Sequence, residues 1–145
     1  ERHRRAALQL DVDPARGGNF VLGSKIAFVV RPDKPATLVL LNISSDGKVS
    51  VLYPQTPGEV RTLPAGQAVF IPGAEAHNRI LVTEPLGMDL QFALAFDEPP
   101  PGLSKLHHAL NLSPDDARLA LLEGWLQAMS GKFSFATSSM RALKP

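Results

Sequence analysis

The sequence contains no cysteine. That excludes a disulfide framework, a thiolate metal site and a cysteine nucleophile. It is compatible with cytoplasm and periplasm alike, because a domain of this size reaches stability without disulfides. No apolar run approaches the roughly 20 residues needed to cross a bilayer, so no membrane span is expected. Charge of one sign is scarce as well: 15 Lys and Arg stand against 14 Asp and Glu, for a net charge of +1. Nucleic-acid binders carry a basic excess, so that class is set aside. The one basic cluster, Arg2, His3, Arg4 and Arg5, reads as a solvated chain end. The chain opens on Glu1 with no signal-peptide pattern, and the expectation is a fragment or processed product of a larger protein.

Catalytic signatures are missing too. There is no Gly-x-Ser-x-Gly elbow, no Walker loop and no GxGxxG. Ser44-Ser45 and Ser138-Ser139 read as residues in or beside turns, and Gly17-Gly18 lacks the following Lys or helix of a phosphate cradle.

What is present is punctuation. Thirteen Pro and eleven Gly are scattered between apolar runs, in a chain that is 44% hydrophobic and 20% charged. This pattern predicts a globular protein built of many short elements. Leu8, Leu10 and Val12 alternate with polar residues, as do Ile26, Phe28 and Val30 within Lys25 to Arg31. Ala36 to Ile43 is almost wholly apolar and suits a central strand covered on both faces. Asp46-Gly47 then turns the chain into Lys48 to Tyr53, with Val49, Val51 and Tyr53 expected on one face. Pro54 to Val60 reads as loop, and Gln67 to Ile71 and Asn78 to Glu84 as short strands. In Met88 to Phe96, Met88, Leu90, Phe92, Leu94 and Phe96 are expected inward, with Asp89 and Gln91 outward.

Pro99-Pro100-Pro101-Gly102 breaks this series. Ser113-Pro114-Asp115-Asp116 then has the make-up of a helix start: an N-cap Ser, a first-turn Pro and acids near the positive end. One amphipathic helix is predicted from there to about Ser130, with Leu119, Leu122, Trp125, Leu126 and Met129 on its apolar face. A last strand follows at Lys132 to Ser138. The prediction is a mainly β protein: an antiparallel, immunoglobulin-like β-sandwich with one C-terminal helix packed on it. It is read as one domain, with a main β part over 1–98, a helical segment over 103–131 and a final strand over 132–140.

The order of these motifs resembles a bacterial family, DUF4384, a domain of unknown function. The shared pieces are Asp46-Gly47-Lys48-Val49, Leu52-Tyr53-Pro54, Leu63-Pro64-Ala65-Gly66, Ile71-Pro72 and Glu84-Pro85-Leu86-Gly87. They fall within Gly23 to Phe96, roughly half of the chain. Each is weak alone, and the ordered set is more specific. The resemblance implies an accessory module appended to caspase-like peptidases, protein kinases or other surface and signalling proteins. It carries no catalytic residues across to this chain.

The remaining polar residues offer little chemistry. Adjacent His107 and His108 diverge on either kind of element, and with His77 they make a poor ligand set. Asp115 and Asp116 complement a helix end, and Glu84 flanks a turn. No catalytic, metal or cofactor site is predicted. The residues singled out for a possible interaction surface are Asp46, Gly47, Tyr53, Glu84 and Trp125, with loops at Pro57-Gly58 and Pro99 to Leu103 as further docking points. Tyr53 and Trp125, the only Tyr and Trp, also fit core positions. Three functions follow. The first is a non-catalytic module that binds a protein, a peptide or a neighbouring domain of its own chain. The second is a structural or assembly subunit of the cell envelope, for which a closed oligomer rather than a monomer is the signature. The third is an enzyme with an unrecognised site.

Overall fold

The computed structural model describes residues 6–13, 18–54, 62–72, 80–112 and 115–145. In chain order the strands are β1 (Leu8–Asp13), β2 (Asn19–Val21), β3 (Lys25–Pro32), β4 (Ala36–Ile43), β5 (Val49–Tyr53), β6 (Thr62–Leu63), β7 (Val69–Ile71), β8 (Ile80–Leu81) and β9 (Gly87–Phe96). Helices α1 (Leu103–Leu112) and α2 (Asp115–Ala128) follow, and β10 (Phe133–Leu143) ends the order. The chain is mainly β, as its alternation predicts.

The strands form two sheets. In one, β3 is flanked by β1 and β7 and also pairs with β8. The other runs β2-β10-β9-β4-β5, with β6 joined to β4. All pairs are antiparallel except β2 with β10, which is parallel. The larger sheet is therefore mixed, and the smaller one is antiparallel. Between them lies the main core. Leu10, Ile26, Phe28, Val30 and Ile71 from the first sheet meet Leu38, Leu40, Ala93, Met140 and Ala142 from the second.

A second core lies on the outer face of the larger sheet. Strand residues Val39, Leu41, Leu94 and Phe96 meet Leu103, Leu106 and Leu110 of α1 and Leu122 of α2. So β4 is buried on both faces, which explains its unbroken apolar sequence. Each buried Leu contributes about 1.5–3 kcal/mol of transfer free energy, and both cores draw on this strand.

Four expectations are corrected. There are two short helices rather than one. Leu103, Leu106 and Leu110 recur at helical spacing directly after the proline run, and Leu106 N–H bonds Gly102 O at 2.9 Å to start α1. Next, Tyr53 does not share the face of Val49 and Val51. Leu41 pairs with Val51 but Leu40 pairs with Tyr53, so Leu52 is an extra residue, a β-bulge. A bulge reverses the alternation beyond it, and Tyr53 turns to the core between the sheets. On β9, Gln91 is fully buried while Met88 and Leu90 are 45% and 44% exposed, the reverse of the expectation. The strand has core on both faces, so alternation alone does not say which side is dry. Finally, Ser138 and Ser139 lie inside β10 rather than in turns, because that strand runs on to Leu143.

The expected helix start at Ser113-Pro114, the loop residues Pro57-Gly58, His77, and the basic cluster Arg2 to Arg5 lie outside the described residues. Of the strand expected over Asn78 to Glu84, Ile80–Leu81 is observed.

Candidate interaction surface

The β4–β5 hairpin shows how local sequence sets one end of the large sheet. Gly47 N–H bonds Ser44 O at 2.8 Å and Ser44 N–H bonds Lys48 O at 3.0 Å. Gly47 sits at φ +85°, a conformation that glycine adopts without strain. Asp46 Oδ1 accepts from the Ser44 hydroxyl at 2.5 Å and from the Lys48 amide at 3.1 Å. These bonds, the Ser44 hydroxyl first, hold the Asp46 carboxyl below its ordinary range. Ser45 Oγ donates to Leu86 O at 2.9 Å, tying this hairpin to the turn that follows Glu84. Gly87 closes that turn at φ +114°, where an added Cβ would lie 3.2 Å from Ser45 Cβ. Asp46, Gly47 and exposed Glu84 therefore belong to one end of the sheet.

Trp125 lies at the other end. Its ring is 5.8 Å from that of Phe96, at 56°, and its Nε1–H donates to Pro101 O at 3.3 Å. It packs α2 against the sheet. Tyr53 packs into the core between the sheets. The five residues singled out from sequence thus do not converge on one surface. Pro99 to Pro101 line a cavity of about 410 Å³, together with Asp97, Glu98 and Lys132.

A polar chain crosses the inner face of the large sheet. Gln91 Nε2 donates to Asn42 Oδ1 at 2.8 Å, Ser138 Oγ donates to Gln91 Oε1 at 2.7 Å, and Asn42 Nδ2 donates to Asp89 Oδ2 at 3.2 Å. Burial raises the Asp89 carboxyl above its ordinary range, against hydrogen bonds from Asn42 and the Ser45 amide. The chain is satisfied internally, save Asp89 Oδ1.

His107 is buried on α1, whereas His108 is exposed. Among the described residues the His107 Nε2 has no partner. Burial lowers its pKa below the ordinary 6.5, opposed by a hydrogen bond to the Pro54 backbone. A folded-state pKa below the unfolded value means that the unfolded chain takes up the proton first. The stability this group contributes is therefore complete above about pH 6.5 and is lost as pH falls below it. Thermal midpoints of the wild type should fall more steeply from about pH 7.5 to about pH 5.5 than those of His107→Asn. Equal slopes would remove His107 as the source. Among the described residues, no three His, Asp or Glu side chains come together as a metal site.

The feature that sequence reasoning missed is the outer face of the large sheet. Along β9 the outward residues go from Leu94, 2% exposed, to Leu90 and Met88 in the open. On β10 Phe135 is 61% exposed, and the exposed Thr137, Ser139 and Arg141 separate it from Leu143, which lies beside Val21 of β2. Where this open half meets α2, a groove of about 350 Å³ is lined by Leu41, Ile43, Phe92, Leu119, Leu122, Phe135 and neighbours. The helices pack over the β4–β5 side of this face, where Val39, Leu41 and Val49 are buried, and leave the β10–β2 side open, which no local periodicity records. Among the described residues, no helix is long and apolar enough to cross a membrane.

Comparison with known proteins adds one match. Residues 19–99, more than half of the chain, match the family model of the domain of unknown function DUF4384. No curated protein matches the chain.

Proposed function

The chain belongs to the DUF4384 family, and from that premise we propose that it is a non-catalytic binding or regulatory module of a larger multidomain bacterial protein. We read its two sheets, with the core between them, as a β-sandwich of immunoglobulin-like type, and residues 1–145 as one accessory domain. The module positions or regulates a neighbouring catalytic domain, such as a caspase-like peptidase, or recognises a protein or peptide partner.

One observation carries this reading: the half-open outer face. Monomeric proteins seldom leave a contiguous apolar surface with a groove beside it, and such surfaces mark interaction sites. Exposed Phe135 lines a groove that is apolar but for Glu123, and exposed Leu90 and Met88 lie on the same face of the sheet.

Titration calorimetry of the chain against the remaining parts of its full-length protein tests the reading. Binding is expected, weakened at least about 30-fold by Leu90→Glu, the effect of losing an interface anchor. No binding to any of those parts, or hydrolytic turnover by the chain alone, would sink it. The alternative, a structural or assembly subunit of the cell envelope or a secretion apparatus, draws on the same face.

A further inference from the structure

We propose that the free edge of β10, from Phe133 to Ser139, is a peptide-binding site that takes an extended segment of another polypeptide as an added strand. The site lies at the side of the larger sheet, and it stands independently of the groove and the outer face.

Backbone direction locates the site. Successive residues of a strand turn their N–H and C=O groups to opposite neighbours. Arg141 N–H donates to Gly18 O at 2.6 Å, and Leu143 O accepts from Leu22 N–H at 3.0 Å, so these two residues face β2. Ser139 O points the same way, 3.4 Å from where a Cβ on Gly18 would lie. Phe135 and Thr137 follow in the same alternation, because the register of β10 with β9 is unbroken. Yet β2 is only three residues long and pairs with Arg141 to Leu143 alone. Among the described residues, nothing pairs with the backbone of Phe135 or Thr137 on that side. The chain entering β1 passes beneath the inner face here, where Ala6 O accepts the Ser134 hydroxyl, and β1 forms no ladder with β10.

The other edges of the two sheets are blunted, and this one is not. An open strand edge pairs with foreign strands unless it is short, bulged, charged or covered. The edge strand β1 carries exposed Asp11 and Asp13. On the far side of β3, β7 and β8 have three and two residues. Strand β5 is bulged against β4. Phe133 to Ser139 has no charge, no proline and no register shift, and its Phe135 and Thr137 side chains are exposed.

The edge also specifies its occupant. It offers N–H and C=O groups at every second residue, a repeat of about 6.8 Å. An extended peptide backbone carries the complementary groups at that spacing, and main-chain hydrogen bonds then supply the affinity. The side chains of the added strand alternate between two surroundings. On one side they fall beside Phe135 and Thr137, where β-branched or aromatic residues pair best. On the other they fall beside half-buried Ala136, which packs on the core between the sheets. With no charged residue of β10 in this stretch, the matching segment is uncharged at its centre.

Titration calorimetry of the chain with a blocked synthetic peptide of about seven residues, alternating Val and Thr, tests this. Binding is expected, with slowed hydrogen exchange at the Phe135 and Thr137 amides. The same peptide N-methylated at every residue keeps its side chains and loses its donors, and it should bind at least about ten-fold more weakly. Thr137→Pro removes an N–H that faces the free side and no bond to β9. It should fold with an unchanged far-ultraviolet circular dichroism spectrum and also lose at least about ten-fold in affinity. The methylated peptide keeps the test decisive if that variant does not fold. Leu90→Glu should leave peptide binding unchanged, which separates this edge from the outer face. No binding by the wild type, or equal binding of the methylated peptide, overturns the edge site. So does equal binding by a folded Thr137→Pro chain. Each of these results leaves the module reading to its own calorimetric test.

Discussion

Phe28→Ala is expected to destabilise the chain by about 3–5 kcal/mol, the range for truncating a buried aromatic side chain. Phe28 is 1% exposed at the middle of β3, the central strand of the smaller sheet. Its cross-strand partners are Val12 on β1 and Ile71 on β7, and its ring reaches the core shared with the larger sheet. Truncation leaves a cavity that two hydrogen-bonded sheets cannot close by moving together, so cavity cost adds to lost transfer free energy. A domain of this size has only about 5–15 kcal/mol in hand, and each kcal/mol lowers its thermal midpoint by roughly 2–4 °C. The midpoint should drop by on the order of 10 °C, and the urea midpoint should fall with an unchanged slope. Phe70 is the control. It sits one position away in the same register, opposite Val29, but points outward and is 50% exposed. Phe70→Ala should cost under about 1 kcal/mol. Equal losses at the two positions would mean that the smaller sheet does not face the core as described.

Much of this fold was legible because local and tertiary demands agreed. The apolar run Ala36 to Ile43 announced a strand buried on both faces, and Asp46-Gly47 announced its hairpin. What stayed hidden was where two physical signals coincided or cancelled. Strand β9 is apolar at every outward position, which reads as one core face. Its inward positions carry Gln91, Ala93 and Ala95, which read as solvent-tolerant yet are buried. The amide is accepted there because it finds partners in Asn42 and Ser138. Tyr53 was misplaced because a bulge leaves no mark in composition. Helix α1 was hidden behind a proline run that looked like an ending and was a beginning, since Gly102 O accepts the first helical bond.

The candidate surface was the least legible part, for a related reason. Residues with functional reputations, such as Tyr53 and Trp125, turned out to pack. Residues that looked like core, Met88, Leu90 and Phe135, form the open face. Hydrophobic periodicity reports that a side chain prefers to leave water. It does not report whether this chain or another supplies the cover. That depends on where the helices settle on the sheet, and it is read only from all the elements at once.

Gln91→Leu carries the second large expected effect, about 2–4 kcal/mol, although it replaces a polar side chain by an apolar one of similar size in a core. Gln91 is fully buried in the middle of β9. Its amide supplies Asn42 Oδ1 with a donor and accepts the Ser138 hydroxyl, joining β4, β9 and β10 on their inner face. Leu keeps the volume and gains transfer free energy, but it leaves both partners without their bond in a region short of water. Each such orphan costs about 1–3 kcal/mol, more than a single hydrogen bond contributes when made. The asymmetry gives a sharper test than the single variant. Removing the partners together, as Gln91→Leu with Asn42→Leu and Ser138→Ala, abolishes the orphans as well as the bonds. The triple variant should therefore be less destabilised than the sum of its parts, and a coupling of at least about 1 kcal/mol is expected between positions in contact. Asp89 sets the one complication, because Asn42 also donates to its Oδ2. Asn42→Leu takes away a bond that opposes the burial-raised pKa, so the Asp89 carboxyl should rise further. A group whose folded pKa is raised is more stable in its protonated form, so variants lacking Asn42 should recover stability as pH falls through that range. Additive denaturation midpoints, with no pH-dependent recovery, would show that Gln91 fills space and does not join the strands.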